Sequence, residues 1–320
     1  MKRILALAAV VALALPVAVT AQQKTRLSIA TGGTGGVYYP LGGGIASVLT
    51  RNLPNTEATA EVTSASVDNI KLVAAGKADI AFSLADTAWD GYTGAGKFNG
   101  QKNPVRSIAV IYANSTQVVT LEGKGIATMA DLKGKRISTG AAGSGTEIIA
   151  VRLLEAYGMD PEKDVKREKL SVAESAGALK DGKIDAFIWS GGVPTAAITD
   201  LAATPGVKIK LISHADAIPN MVKKYGPLYV KSTLAPKSYP GQEQAVEHVD
   251  VWNVLVVNEK MDEKLAYEIT KTIFEKKPDL VAVHKEAANI VLETQFDGGS
   301  PIPFHPGSLK YFAEKGLKAK

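Results

Sequence analysis

Arg26-Leu27-Ser28-Ile29-Ala30-Thr31-Gly32-Gly33-Thr34-Gly35-Gly36-Val37-Tyr38-Tyr39-Pro40 is the stretch that decides the fold. Its first five residues alternate polar and apolar, the period of a strand. The glycines that follow break that period. Pro40 suits the first turn of a helix running to Asn52, which Leu53-Pro54-Asn55 stops. A strand that feeds a helix through a glycine loop is the building unit of an α/β sheet.

The unit recurs downstream. Lys135-Arg136-Ile137-Ser138-Thr139 is again strand-like and enters Gly140-Ala141-Ala142-Gly143-Ser144-Gly145-Thr146, after which residues 147–154 follow a helical apolar pattern closed by Gly158. Gly33-Thr34-Gly35 and Gly143-Ser144-Gly145 read as equivalent, 110 residues apart. A second echo pairs Gly76-Lys77-Ala78-Asp79-Ile80-Ala81-Phe82 with Gly182-Lys183-Ile184-Asp185-Ala186-Phe187, 106 residues apart. In both, a helix ends at Gly-Lys and Asp opens a buried strand. Two copies are too few for a solenoid, so the sequence predicts two similar α/β lobes. Crossovers are expected near residues 114–117 and 248–251, and two of them make a hinge. Lobe 1 then comprises residues 22–115 and 248–320, and lobe 2 residues 116–247.

Open α/β sheets bind ligands at loops beyond strand C-termini, so equivalent loops facing each other make a cleft. A loop of Gly, Ser and Thr opening a helix offers unpaired N–H groups at the positive end of the helix dipole and favours anions. Thr34, Ser144 and Thr146 add hydroxyls. The alternative is that each loop is only a tight turn and N-cap. Neither loop ends in Gly-Lys-Ser/Thr, and Tyr38 occupies the last glycine position of the dinucleotide pattern. Ala142-Gly143-Ser144-Gly145-Thr146 lacks both outer glycines of the hydrolase elbow. His214, His248, His284 and His305 are scattered and read as surface or capping residues; with no nucleophile–base pair evident, no catalytic residue, metal or cofactor is assigned.

The 320 residues carry 46% apolar and 22% charged side chains, enough for two cored domains, and the absence of cysteine excludes disulfide scaffolds and thiol nucleophiles. The net charge of +5 includes Lys2 and Arg3, without which it is +3, and no basic cluster points to nucleic acid. Lys2-Arg3, an apolar run over residues 4–19 and Val19-Thr20-Ala21 describe a secretory signal peptide cleaved after Ala21. The protein is expected outside the cytoplasmic membrane, in the periplasm of a bacterium with two membranes.

Thr31-Gly32-Gly33-Thr34-Gly35-Gly36-Val37-Tyr38-Tyr39-Pro40 resembles the TAXI family of substrate-binding proteins, receptors of one class of TRAP transporter. The stretch from Gly76 to Phe82, Gly143-Ser144-Gly145-Thr146-Glu147, Asp185-Ala186-Phe187-Ile188-Trp189, the stretch from Gly192 to Ile198, Tyr239-Pro240-Gly241-Gln242 and Asn253-Val254-Leu255-Val256-Val257 agree in order. The resemblance implies a type II periplasmic-binding-protein fold, two lobes joined by two hinge strands. It also implies delivery of a small carboxylate, with glutamate and glutamine recurrent in the family, to a permease driven by an ion gradient. An ABC-type or sensory binding protein of the same fold is the alternative, and the chain is expected to be monomeric. Leu84-Ala85-Asp86 stands where relatives often carry Gln-Ser-Asp, and Ala65 where a Gly is common. The change at Leu84-Ala85 also suits a less polar carboxylate or one without an amino group.

On this reading a carboxylate rests on the amides of Ser144, Gly145 and Thr146, while Thr34, Gly35, Gly36 and Tyr38 close over it. Ser190, Gly191, Val193 and Pro194 complete the wall. Tyr38, Trp89 and Trp189 are placed against the carbon chain or in the core. Asp86 opposes an ammonium or caps a helix, and Asn69 bonds the ligand or caps a turn.

Overall fold

The structure, a computed structural model, describes residues 24–318. The expected signal peptide and its cleavage after Ala21 lie outside the described residues. No helix among the described residues is long and apolar enough to cross a membrane.

The first lobe opens with β1 (Thr25–Ala30), α1 (Tyr38–Asn52), β2 (Thr56–Glu61), α2 (Ser66–Ala74), β3 (Ile80–Leu84) and α3 (Ala85–Thr93). The long strand β4 (Val105–Leu121) leads into β5 (Arg136–Ser138), α4 (Gly145–Ala156), β6 (Lys166–Glu168), α5 (Val172–Lys180), β7 (Ala186–Gly191) and α6 (Ala196–Ala203). There follow β8 (Ile209–Leu211), α7 (Ile218–Tyr225) and β9 (Tyr229–Leu234). A second long strand, β10 (Val246–Asn258), returns the chain to α8 (Glu263–Glu275), α9 (Lys277–Val283) and α10 (Pro306–Glu314).

The strands share one sheet in the order β2-β1-β3-β10-β4-β7-β5-β6, with β8 on β4 and β9 on β10. Both outer thirds are parallel, and the two long strands run antiparallel to their neighbours. This is the two-lobed α/β fold expected from the sequence. The strand anticipated over residues 107–112 does not stop at the crossover. It continues as β4, pairing with β10 through its first half and with β7 and β8 through its second. The two long strands meet where Asp250 faces Ser115 and Trp252 faces Ala113, and the register slips just beyond Trp252. Such a slip bends a strand.

The internal repeat is legible atom by atom. The Ser28 amide donates to the Asp79 carboxylate (2.8 Å) and the Asp79 amide to the Ser28 carbonyl (3.0 Å); Arg136 and Asp185 repeat the pair at 2.9 and 2.7 Å. Gly76 and Gly182, at φ +67° and +70°, turn the chain ahead of each Asp in a conformation glycine adopts without strain. One detail differs from the expected alignment. Gly36 donates to Gly33 as Ser144 donates to Ala141, so Gly36 corresponds to Ser144, at an offset of 108 residues. Each lobe has its own core, one around Ile29, Leu41, Ile45, Phe82 and Leu255, the other around Ile137, Ile149, Leu153 and Ile188.

Candidate functional site

The sheet and helices enclose a cavity of about 70 Å³, counted as space open to the centre of a water-sized sphere, between the lobes. Its walls include Gly36, Val37 and Tyr38 at the start of α1, Ala65 and Ser66 at the start of α2, and Leu84 just before α3. From the other lobe come Ser144, Gly145 and Thr146 at the start of α4, Ser171 and Val172 at the start of α5, and Trp189, Ser190 and Gly191 on β7. Five helices therefore present their N-terminal ends to one space. Each such end carries a partial positive charge, with the first amides of α2, Val67 and Asp68, already donating to the Gly143 carbonyl. No lining residue is an Asp, Glu, Lys, Arg or His.

Local sequence dictates these ends. Ser144 caps α4 by accepting from the Glu147 amide at 3.0 Å. Ala65 precedes α2 at φ +79°, ψ −145°, a backbone region that strains every residue except glycine. The Thr63 hydroxyl holds it there, accepting from the Ala65 amide at 3.0 Å.

Two hydroxyls of the lining stand out. Tyr112, on β4, and Ser190, on β7, are both buried, and neither hydroxyl has a hydrogen-bond partner. Burial pushes the Tyr112 phenol well above its ordinary pKa, and nearby Tyr38 and Glu286 add to the effect, so it is a neutral donor. Tyr38 is likewise held protonated, chiefly by burial, and donates to Asn253. The Asn253 amide in turn bonds the Tyr112 carbonyl (2.9 Å) and the Asn114 side chain (2.8 Å), knitting the two long strands together.

Of the residues expected from sequence, Gly36, Tyr38, Ser144, Gly145, Thr146, Ser190 and Gly191 line the cavity. Thr34 and Gly35 do not. Thr34 is exposed, and the Gly35 carbonyl accepts from the Ala197 amide across the cleft at 3.3 Å. Val193 and Pro194 also lie off the wall; the Val193 amide donates to Glu286 at 2.9 Å. Asn69 is fully buried and neither meets the cavity nor caps a turn. Its amide donates to the Thr31 and Phe82 carbonyls and its oxygen accepts from Thr63, so it braces the ends of β1 and β3.

Asp86 is corrected on both alternatives. It neither faces the cavity nor caps α3, whose cap position is Leu84. Its carboxylate accepts from Arg152 (3.0 Å) and from the Tyr229 hydroxyl (2.9 Å), with no exposed surface. Asp90 binds the other arm of the same guanidinium. Burial lifts the Asp90 carboxyl to about 6 even beside Arg152, while the two carboxylates hold Arg152 charged. Trp89 is 39% exposed and off the cavity, and Trp189 is on it.

Sequence reasoning missed Tyr112, Asn114, Ser66 and Ser171. Tyr112 ends an apolar strand immediately before the expected crossover, and that position was the available signal. The histidines, expected to be surface or capping residues, divide between buried and capping positions. His214, His248 and His305 are buried; His284 and His305 do cap helical turns. Ser115, His248 and Asp250 meet at the hinge, but the serine (3.0 Å) and the aspartate (2.7 Å) share one nitrogen, Nε2. A hydrolase relay uses both ring nitrogens.

The lobes touch. Amides of Val67 and Asp68 donate to the Gly143 carbonyl at 3.1 and 3.2 Å, and a Cβ placed on Gly145 would meet Ser66 Oγ at 2.6 Å. These contacts, with the Arg152 cluster, describe a shut cleft.

A family model described as the NMT1-like family matches residues 29–316. Among solved structures, the periplasmic aliphatic sulphonate binding protein SsuA from Escherichia coli is similar at a TM-score of 0.51 and 14% identity, over 93% of this chain and 81% of that one. A putative L-cystine ABC transporter from Listeria monocytogenes matches at 0.50 and 15%, over 87% and 98%. Tv2483 bound to L-arginine matches at 0.50 and 17%, over 83% and 90%. At these identities the likeness is one of fold, that of periplasmic binding proteins.

Proposed function

We propose, from the premise that this chain belongs to the NMT1-like family, that it is an extracytoplasmic solute-binding receptor which takes up a small carboxylate between its lobes and passes it to a membrane transporter. One observation carries this reading: an enclosed, uncharged cavity at the convergence of five helix N-termini. Such ends bind anions without a counter-charged side chain. The carboxylate rests on the amides of Gly145 and Thr146 beside the Ser144 side chain, and Gly36 and Tyr38 cover it from the opposite lobe. Ser190 and Gly191 form the floor, and the Gly35 carbonyl bonds the Ala197 amide at the rim, next to the exposed Thr34.

A ligand touching both lobes binds the shut form better and draws the population toward it. The transporter can then distinguish loaded from empty receptor by lobe spacing. The lobe division follows the two long strands, with residues 22–115 and 248–320 on one side and 116–247 on the other. The chain binds rather than transforms its ligand. The motif run from Thr31 to Pro40 supports a TAXI-type receptor serving a TRAP permease. An ABC-type partner is the second reading, favoured by the ABC transporter to which one similar structure belongs.

Mass spectrometry of ligand released from purified protein, followed by calorimetry on a carboxylate panel, tests the reading. Ser144→Trp fills the cavity and is expected to abolish binding while the far-UV circular dichroism stays unchanged. Wild-type affinity in that variant removes the site assignment.

A further inference from the structure

We infer that the occupant is a small monocarboxylate with an uncharged aliphatic tail and no ammonium group, held by the Tyr112 and Ser190 hydroxyls as well as by main-chain amides. The inference rests on the receptor reading above and narrows its substrate class.

An ammonium group needs an anion or several acceptors when it leaves water. The cavity lining supplies no carboxylate: Asp68 abuts Gly143 outside the lining, and Asp86, Glu147 and Glu286 are engaged. Asp86 is bound by Arg152 and Tyr229. Glu147 accepts from the Gly143 amide, Arg167 and Lys97, and Glu286 from the Val193 amide and Asn289. A second carboxylate on the ligand fares no better, because no Lys or Arg lines the space. The helix ends offset one negative charge. Val37, Leu84, Val172 and the Trp189 ring leave an apolar surface for the remainder of the molecule.

Size points the same way. At roughly 10–15 Å³ for each water position, the cavity holds about five such positions, which suits an acid of roughly five to seven non-hydrogen atoms. A buried hydroxyl without a partner is destabilising, and Tyr112 and Ser190, which each carry one, line this space. A carboxylate oxygen and an oxygen on the neighbouring carbon, as in a 2-oxo or 2-hydroxy acid, would satisfy both.

Isothermal titration of the purified, extensively dialysed protein with 2-oxobutyrate, 2-aminobutyrate, 2-oxoglutarate and glutamate tests this. The expected result is binding of 2-oxobutyrate at least about a hundredfold tighter than of the other three. Tyr112→Phe and Ser190→Ala should each weaken it about tenfold or more, with thermal midpoints equal to or above that of the wild type. Equal or tighter binding of 2-aminobutyrate, glutamate or 2-oxoglutarate overturns the tail assignment and leaves the receptor reading standing. Wild-type affinity in both hydroxyl variants overturns the roles of Tyr112 and Ser190. Binding of no acid in the set removes the receptor reading itself.

Discussion

Ala65 holds a conformation that only glycine enters freely, and it does so on the wall of the cavity. Strain of this kind costs about 1–3 kcal/mol, against roughly 0.5–1 kcal/mol lost when glycine loosens the unfolded chain. Ala65→Gly should therefore raise stability by about 1 kcal/mol, read as a higher urea midpoint at unchanged slope. His214 works in the other direction. It is fully buried, with one ring nitrogen on the Ile212 carbonyl (2.8 Å) and the other accepting from the Val249 amide (3.4 Å), an arrangement that needs the neutral ring. Burial depresses its pKa from 6.5 to about 4. Its stabilisation is complete above pH 6.5 and is lost as pH falls toward 4, by up to about 1.4 kcal/mol per pH unit. Asp90, lifted from 3.8 to about 6, has the opposite sign over the overlapping window, stabilising the fold as pH falls. Comparing His214→Gln with wild type cancels the Asp90 contribution. The variant should lose stability less steeply between pH 6.5 and 4.5, measured by urea unfolding. Which polar residues reach the cavity was only partly legible at this scale. Ser144 and Tyr38 advertise themselves beside glycine loops. Asn69 and Asp86 look equally suited to a ligand, yet tertiary contacts turn them to bracing β1 against β3 and to pairing with Arg152.

Elements were the most legible level. The glycine loops, the two Gly-Lys-x-Asp turns and the helices after them follow from local chemistry and recur in both lobes. The two-residue correction in loop alignment arises because main-chain bonding, not glycine spacing, sets equivalence. The long strands were less legible. An apolar run shows that a strand exists, but its continuation through the polar Asn114-Ser115-Thr116-Gln117 depends on partners contributed by β10 and β7. Gly145 permits a prediction here. Its φ is not positive, so alanine suits the first turn of α4, but the added Cβ would sit 2.6 Å from Ser66 Oγ and 2.7 Å from Leu84 Cδ1 in the opposite lobe. Gly145→Ala should leave each lobe folded and keep the lobes apart. Small-angle scattering should show a larger radius of gyration, and 2-oxobutyrate affinity should fall at least tenfold.

Across the whole molecule, shutting the cleft buries Arg152 of α4 between Asp86 and Asp90 of α3. Breaking such a cluster by removing one partner costs about 3–5 kcal/mol, because the remaining charges stay buried. Arg152→Met is expected to impose that cost on the shut form, in which both carboxylates are buried. Ligand affinity should drop at least about a hundredfold with the lobes still folded. Replacing Asp86 and Asp90 with Asn in the same chain should recover much of the loss. An unchanged affinity in Arg152→Met would show that the cluster is independent of closure.

The placement of β10 between β3 and β4 also governs the order in which the chain can mature. Synthesis delivers β3 and β4 early, but the ribbon that joins them is made only after the entire inserted lobe. Until then the first-made half has an open seam through the middle of its sheet. The nascent polypeptide thus stays uncommitted until near its end, when the last long strand closes the seam.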